Sequence, residues 1–175
     1  PFSGYTQQRW PGCYGGALGA GAADCLSQKG FSVARHQVAA GVWIDVYDLH
    51  AEAGSSPDDE YWSAQDYLTL AAYINAESAG HAVIVGGDFN LHKETAVDGA
   101  VLARFLSETG LSDVCDVQDC SADPNVIDRI LFRSGADVTL DATAWWRPPH
   151  FVDADGEPLS DHDPTAATIG WSIGG

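Results

Sequence analysis

The amino-acid sequence predicts one α/β domain, and three observations lead to that fold class. Strand-like and helix-like patterns alternate early in the chain, and strand-like patterns dominate late. The chain has 175 residues, 45% of them hydrophobic, which is enough for one domain with a sizeable core. No apolar run approaches the roughly 18 residues that a membrane-spanning helix needs. We therefore expect a single globular unit without a transmembrane segment.

The first predicted elements are an N-terminal arm and a β-hairpin. Residues 1–28 are rich in Gly and Ala and show no period, so we predict a loop or arm. Strands are expected at Phe31–Val38 and Val42–Leu49, where β-branched and aromatic residues flank the turn at Ala40-Gly41. Both faces of the second strand are largely apolar, which is typical of an internal strand in a covered sheet.

Two helices and four more strands follow. Ser56 is a helix cap, Pro57 fits the first helical position, and carboxylates come next, near the positive end of the dipole. This helix is expected to end at Gly80, and a second one to span about Asp98 to Thr109, with Gly110 as its stop. The remaining strands are predicted at Ala82–Val85, Val126–Phe132, Asp137–Trp145 and Thr165–Trp171.

The four cysteines fall into two local pairs, Cys13 with Cys25 and Cys115 with Cys120. Neither pair has the companion residues of a zinc site. An even count in an acidic chain with few lysines indicates an oxidised, secreted protein, and we favour the two local disulfides. Four reduced, buried thiols are the alternative.

The charge balance limits the possible partners. The formal net charge is −17, with only 8 Lys and Arg residues. A protein that coats nucleic acid through phosphate contacts needs many more cations, so that class is excluded. An enzyme that meets phosphate groups through a bound divalent cation remains compatible with this charge.

Polar residues gather at the ends of two predicted strands, just before a third, and inside a fourth, where Asp128 interrupts an apolar run. Strand ends are where a rigid scaffold presents functional groups. Singly, each cluster has an ordinary explanation: a histidine after a strand is usually structural, and Gly-Gly-Asp is usually a turn. Together and in order they indicate one site. The clusters are Asp48-Leu49-His50, Gly87-Asp88-Phe89-Asn90, Ile127-Asp128-Arg129-Ile130 and Ser160-Asp161-His162-Asp163-Pro164.

This order of motifs resembles the endonuclease/exonuclease/phosphatase superfamily, which includes deoxyribonuclease I-like nucleases, neutral sphingomyelinases and inositol phosphatases. The segments Asp24–Phe31 and Asp48–Gly54 look like a secreted, mostly fungal or bacterial branch. The resemblance covers about Asp24 to Pro164. It implies a two-sheet β-sandwich flanked by helices, with residues 29–175 as the C-terminal part of an N-terminally incomplete domain.

The resemblance also implies roles for individual residues. His162 would be the general base, oriented by the carboxylate of Asp128. Asp88 and Asn90 would position the attacking water and hold a phosphate oxygen or the metal, while His50 would donate a hydrogen bond to the phosphate. Hard oxygen ligands favour Mg²⁺, with Mn²⁺ or Ca²⁺ as substitutes. The expected metal ligands are Asp88, Asn90 and Asp161.

The sequence also departs from the superfamily pattern. The superfamily carries an Asn on its first strand and a metal-binding Glu, both upstream of these motifs. Here no Asn precedes Asn75, and the first Glu residues, Glu52 and Glu60, follow His50. Asp48 stands where many relatives have Asn. We therefore expect an incomplete domain with an exposed face, and a metal affinity and activity that depend on the absent ligands.

The leading hypothesis is a secreted, Mg²⁺-dependent phosphodiesterase that converts sphingomyelin to ceramide and phosphocholine. The aromatic, proline-stiffened segment Trp145–Phe151 predicts transient contact with a membrane surface, although such aromatics also occur in ordinary cores.

Other hypotheses are a deoxyribonuclease I-like endonuclease, a phosphate-binding module that lacks the metal-binding Glu, and a disulfide-stapled module with an unrelated role. A lipid head group is favoured over nucleic acid as the substrate, because few cations are available for a basic groove. The candidates for such a groove are Arg9, Arg129, Arg133 and Arg147.

Overall fold

Within residues 1–15, 22–120 and 126–174, which the computed structural model describes, the chain forms eight strands and four helices. In chain order they are β1 (Phe2–Arg9), α1 (Ala22–Ser27), β2 (Gly30–Ala39), β3 (Val42–His50), α2 (Pro57–Glu77), β4 (Ala82–Asp88), α3 (Ala96–Thr109), β5 (Ser112–Asp113), α4 (Val114–Val117), β6 (Asp128–Arg133), β7 (Val138–Trp146) and β8 (Ala166–Ile173).

The strands form two sheets with helices on the outside. Six strands make one sheet in the order β1-β2-β3-β4-β6-β5, and β7 pairs with β8 in a second sheet. Strands β3 and β4 are parallel and are connected by α2, whereas the other neighbours are antiparallel. The core on the helix side includes Tyr47, Leu70, Ile74, Val85 and Phe105. The core between the sheets includes Val42, Ile44, Ala82, Val138 and Leu140. The predicted α/β fold with two sheets and flanking helices is confirmed.

The helix boundaries follow from their caps. The Ser56 side chain accepts from the Asp59 backbone N–H at 3.2 Å, and Asp59 Oδ2 accepts from the Ser56 N–H at 3.0 Å. This reciprocal capping box satisfies two free donors at the start of α2. Helix α3 begins before the predicted Asp98, because Thr95 caps it by accepting from the Asp98 N–H at 3.1 Å. It ends at Gly110, which has a left-handed φ of 69°.

The N-terminal arm is the main error of the sequence prediction. Residues Phe2–Arg9 form an edge strand antiparallel to β2, and Ala22–Ser27 form a short helix. The side chains of β1 are mostly exposed and show little apolar alternation. Backbone hydrogen bonds hold the strand, and any sequence supplies them, so hydrophobic patterning did not reveal it. Residues 16–21 of the predicted arm lie outside the described residues.

The cysteines form the two local disulfides that the sequence favoured, Cys13–Cys25 and Cys115–Cys120. The first ties the segment after β1 to α1, and the second closes a short loop at α4. None of the described helices is long and apolar enough to cross a membrane. Large apolar side chains are exposed on the outermost strands of both sheets, at Phe2, Tyr5, Trp171 and Ile173.

Candidate active site

Three of the residues that the sequence singled out lie in one row across the large sheet. His50 at the end of β3 pairs with Asp88 at the end of β4, and Asp88 pairs with Asp128 at the start of β6. Residues that lie directly opposite each other project from the same face. His50 Nε2 is 3.4 Å from Asp88 Oδ2. The row therefore presents one imidazole and two carboxylates at one end of these three strands.

The segment before β8 adds a second imidazole to this row. His162 Nδ1 lies 2.9 Å from Asp128 Oδ2, and the His162 backbone N–H donates to Ser160 Oγ at 3.1 Å. The hydrogen bond with Asp128 raises the pKa of His162 above its ordinary value, and the negative charges of Asp88 and Asp161 raise it further. With Nδ1 held by a carboxylate, Nε2 is the nitrogen left to accept a proton.

The turn after β4 fixes the position of Asp88. Asn90 adopts a left-handed φ of 47°, and its backbone N–H donates to Asp88 Oδ1 at 2.9 Å. Its side-chain amide donates to the Ala51 carbonyl at 3.2 Å, which links this turn to the end of β3. Gly87 has a φ of 138°, and a Cβ there would meet the Leu49 carbonyl oxygen at 2.1 Å. Only glycine fits this close approach of the two strands.

The donor set fits a hard divalent cation. Asp88, Asp128 and His162 each offer one ligand atom, and these atoms lie within 4.8 Å of one another. Within the described ranges, this is the one cluster of three or more His, Cys, Asp or Glu side chains with that spacing. Carboxylate oxygens are preferred ligands of Mg²⁺ and Ca²⁺. Asp161 is not in this cluster, and Asn90, an amide, is not one of the residue types that define it; the roles of both as ligands stay predictions.

Two clefts adjoin the row. A cleft of about 520 Å³ lies on the β6 side and has an apolar wall next to the reactive groups. Its lining includes Asp128, Pro148, Phe151, Leu159 and His162. A more polar cleft of about 830 Å³ lies on the β1 side. Its lining includes Arg9, Lys29, Asp48, His50 and Asp88.

Curated relatives are similar over most of this chain. The sphingomyelinases of Mycobacterium bovis and Mycobacterium tuberculosis are 36% identical to it over 162 residues. The match covers 85% of this chain and 31% of each relative, so the chain spans about a third of the relatives' length. No family model matches the sequence.

Solved structures share the fold at low sequence identity. Sphingomyelinase C from Streptomyces griseocarneus has a TM-score of 0.61 and 21% identity, covering 95% of this chain and 64% of that one. An endonuclease/exonuclease/phosphatase protein from Beutenbergia cavernae has a TM-score of 0.67 and 12% identity, covering 97% and 45%. The chain belongs to the endonuclease/exonuclease/phosphatase superfamily. Humanized D. rerio TDP2 also shares this superfamily fold, with a TM-score of 0.68 and 17% identity over 97% of this chain and 65% of that one.

A buried ion pair that the sequence did not reveal holds together the segments that carry Asp128 and Asn90. Arg129 follows Asp128 on β6, and its Nη1 donates to Asp113 Oδ2 at 2.8 Å. Its Nη2 donates to the Leu91 carbonyl at 3.2 Å, just beyond the Asn90 turn. Burial raises the pKa of Asp113, although Arg129 opposes that effect. A charge inside an apolar strand signals the need for a partner, but the sequence does not show which residue supplies it.

Two of the four arginines that the sequence named as candidates for a basic groove have structural partners instead. Arg129 is only 2% exposed, so it does not line a basic groove. Arg133 donates to the Thr109 carbonyl at 2.5 Å and to the Ser78 carbonyl at 2.9 Å. Both side chains hold the fold together, which leaves Arg9 and Arg147 of the original candidates.

The loop after β3 is anchored by groups that the sequence also left unassigned. Trp10 Nε1 donates to the His50 carbonyl at 2.7 Å, and the Glu52 backbone N–H donates to Asp66 Oδ2 at 3.1 Å. The Glu52 and Asp66 side chains are both buried. Burial raises the pKa of Asp66 to about 8, and the negative charge of Glu52 also favours the protonated form. These bonds hold the backbone that carries His50.

Proposed function

We propose that this chain is a phosphodiesterase that hydrolyses sphingomyelin to ceramide and phosphocholine. One observation carries the proposal: the His162–Asp128 pair lies beside Asp88 in a chain that is 36% identical to sphingomyelinases. Phosphodiester hydrolysis needs an in-line water, a base for its proton and groups that bind the phosphoryl oxygens. His162, together with the row of His50, Asp88 and Asp128, would supply these functions at one end of the strands.

Each side chain has a defined part in the proposed reaction. His162 Nε2 takes a proton from water while the water oxygen bonds to phosphorus. The P–O bond to ceramide breaks, and the ceramide oxygen takes up a proton from solvent, to which His162 then returns the proton that it accepted. Asp128 fixes the tautomer of His162 and stabilises the imidazolium. Asp88 and Asn90 position the water, and His50 donates a hydrogen bond to a phosphate oxygen.

The proposed cofactor is Mg²⁺, with Mn²⁺ or Ca²⁺ as possible substitutes. Asp88 would hold the cation, with Asn90 and Asp161 as further predicted ligands and Asp128 close by. A bound divalent cation supplies positive charge to the phosphoryl oxygens. It also offsets repulsion between the substrate and a chain whose net charge is −17.

The apolar rim of the 520 Å³ cleft is proposed to touch the lipid surface. Phe151, Val152 and Leu159 line this cleft and are 50%, 40% and 66% exposed. Trp145 and Trp146, which the sequence suggested for this role, lie at the end of β7 and not in a loop. Exposed apolar side chains beside the reactive groups would place a lipid head group near His162. Secretion is proposed as well, and the two disulfides support it.

The first test is hydrolysis of sphingomyelin vesicles and supercoiled DNA in parallel, with Mg²⁺ and with EDTA. We expect phosphocholine release that is abolished by EDTA and by His162→Ala. His36→Ala changes a histidine on β2 outside the row and should retain activity. Nicking of DNA without phosphocholine release would instead support a nuclease. A folded chain that binds phosphocholine without turning over either substrate would support a phosphate-binding module.

The lipid contact has a separate test in Leu159→Ser, which removes the most exposed apolar group of the rim. We expect weaker binding to sphingomyelin vesicles in a flotation assay, with unchanged hydrolysis of soluble p-nitrophenylphosphorylcholine. Val97→Ser, an exposed valine on α3, is the control. Equal vesicle binding by both variants would contradict the contact.

A further inference from the structure

The row of functional residues extends beyond His50 to the edge of the large sheet. Arg9 on β1 pairs with Gly30 on β2, and Gly30 pairs with His50 on β3. Direct pairing places their side-chain positions on one face, so Arg9 projects from the same face as His50 and Asp88. Neighbouring strands lie about 4.8 Å apart, which puts Arg9 roughly two strand spacings from His50.

No side chain stands between Arg9 and His50 in this row, because the intervening residue is Gly30. A Cβ at Gly30 would meet the Gln8 carbonyl oxygen at 2.2 Å and Arg9 Cα at 2.9 Å. The close approach of β1 therefore requires glycine there. The 830 Å³ cleft lies along this part of the row and is lined by Arg9, Gly30, His50 and Asp88.

The Arg9 guanidinium differs from those of the other arginines. The others donate to carboxylate or carbonyl oxygens: Arg35 to Asp45, Arg104 to Glu108, Arg129 to Asp113, Arg133 to Ser78 and Arg147 to Asp163. Arg9 is exposed, and within the described residues nothing pairs with its guanidinium. Its donors are available to a ligand in the cleft.

The charges in the row favour an anionic ligand next to Arg9. Asp48, His50 and Asp88 line the cleft with Arg9, and the whole chain carries a net charge of −17. An anion that approaches these carboxylates needs nearby positive charge. An arginine is suited to this role, since its planar donors match phosphate oxygens.

We propose that Arg9 is a substrate-binding residue that donates to a non-bridging phosphate oxygen from the His50 side of the site. The proposal rests on the proposed phosphodiesterase function. The Arg9 side chain would also orient the substrate. Because the choline ammonium is repelled by a guanidinium, the choline points away from Arg9.

The test compares Arg9→Gln and Arg9→Lys with Arg104→Gln, an exposed arginine on α3. We measure kcat and KM for p-nitrophenylphosphorylcholine, and the Kd of phosphocholine by calorimetry, with Mg²⁺ at about 0.15 M salt. Losing a charged hydrogen bond should raise KM and Kd by about 10-fold or more in Arg9→Gln. Arg9→Lys should lose less, because lysine keeps the charge. Arg104→Gln should match the unmodified chain.

The outcomes separate this proposal from the proposed function. The proposal would be overturned if KM and Kd of Arg9→Gln equalled those of Arg104→Gln. It would also be overturned if the effect of Arg9→Gln appeared only at low salt, because Arg9 would then act only through its long-range charge. If the unmodified chain binds phosphocholine without hydrolysing the ester, the proposed phosphodiesterase function is wrong. The Kd values of phosphocholine for the Arg9 variants would still test whether Arg9 binds the phosphate. An unmodified chain that does not bind phosphocholine overturns the Arg9 proposal directly. Thermal melting of each variant checks that an exposed substitution leaves the fold intact.

Discussion

At the scale of single residues, the site depends on side chains that are held in place by hydrogen bonds to neighbouring groups. His162 is oriented by Asp128, and Asp88 is fixed by the backbone N–H of Asn90. Such preorganisation avoids the cost of ordering these groups when the substrate binds. Removing a partner should therefore reduce activity even where the reacting side chain is untouched.

Asp128→Asn tests this dependence. The amide keeps the shape of the side chain but removes the charge that stabilises a protonated His162. We expect kcat for sphingomyelin to fall roughly 100- to 10,000-fold with little change in the melting temperature. Asp141→Asn, an exposed aspartate on β7, is the control. Equal activity in the two variants would remove Asp128 from the mechanism.

The buried carboxyl of Asp66 should make stability depend on pH. Its pKa is about 8 in the folded chain, against an ordinary value of 3.8, so the folded state keeps a proton that the unfolded chain releases. The free energy of unfolding should then fall as the pH rises from about 4 to about 8, by up to about 1.4 kcal/mol per pH unit. Urea unfolding at pH 5 and pH 8 measures this difference.

Asp66→Asn should remove most of that difference, since an amide does not titrate and still accepts from the Glu52 N–H. Glu77→Gln, an exposed position on the same helix, should leave it unchanged. An undiminished pH difference in Asp66→Asn would show that another group is responsible.

The sequence predicted which residues would meet at the site better than it predicted what holds them. His50 and Asp88 could be grouped because each follows an apolar strand, and Asp128 because it interrupts one. The partners of buried charges, such as Asp113 for Arg129, come from distant segments and carry no local signal. The sequence also gave no means to place Arg9 in the row, because its strand lacks an apolar pattern.

At the scale of elements, local chemistry decides where the helices begin and where β4 ends. The caps at Ser56 and Gly110 are visible in the sequence, and the predicted start of α2 and end of α3 are confirmed. Predicted strands match within a few residues wherever β-branched residues dominate. The edge strand β1 was missed because its pairing to β2 depends on backbone groups alone.

Gly87→Ala tests the turn that brings β3 and β4 together. Its φ of 138° is strained for alanine, and the new Cβ would collide with the Leu49 carbonyl. We expect a loss of about 1–3 kcal/mol in the free energy of unfolding and reduced activity. Gly86→Ala is the matched control, since a Cβ at Gly86 would lie 3.9 Å from the Arg129 carbonyl oxygen, an ordinary contact distance. A similar loss in both variants would mean that strand propensity, and not the turn, is responsible.

At the scale of the whole molecule, the dominant property is the net charge of −17. The field of such a chain repels anionic surfaces over a distance set by the salt concentration. A zwitterionic sphingomyelin surface should escape most of this repulsion.

This charge predicts how salt acts on the reaction. Hydrolysis of sphingomyelin in vesicles that also contain anionic lipid should speed up between about 0.01 M and 0.15 M salt, where the screening length falls from about 30 Å to 8 Å. Purely zwitterionic vesicles should show little change. A rate that falls with salt on anionic vesicles would indicate attraction through a basic surface instead.

The row across the sheet also bears on how the chain folds. Its members come from β1, β3, β4 and β6, and the His162–Asp128 contact joins residues 34 positions apart. The β2–β3 hairpin and α2 involve neighbouring residues and are expected to form early, whereas contacts between distant segments form later because closing long loops costs entropy. A partly folded chain can therefore have much of its secondary structure and no site. During refolding, recovered activity should lag behind the circular dichroism signal.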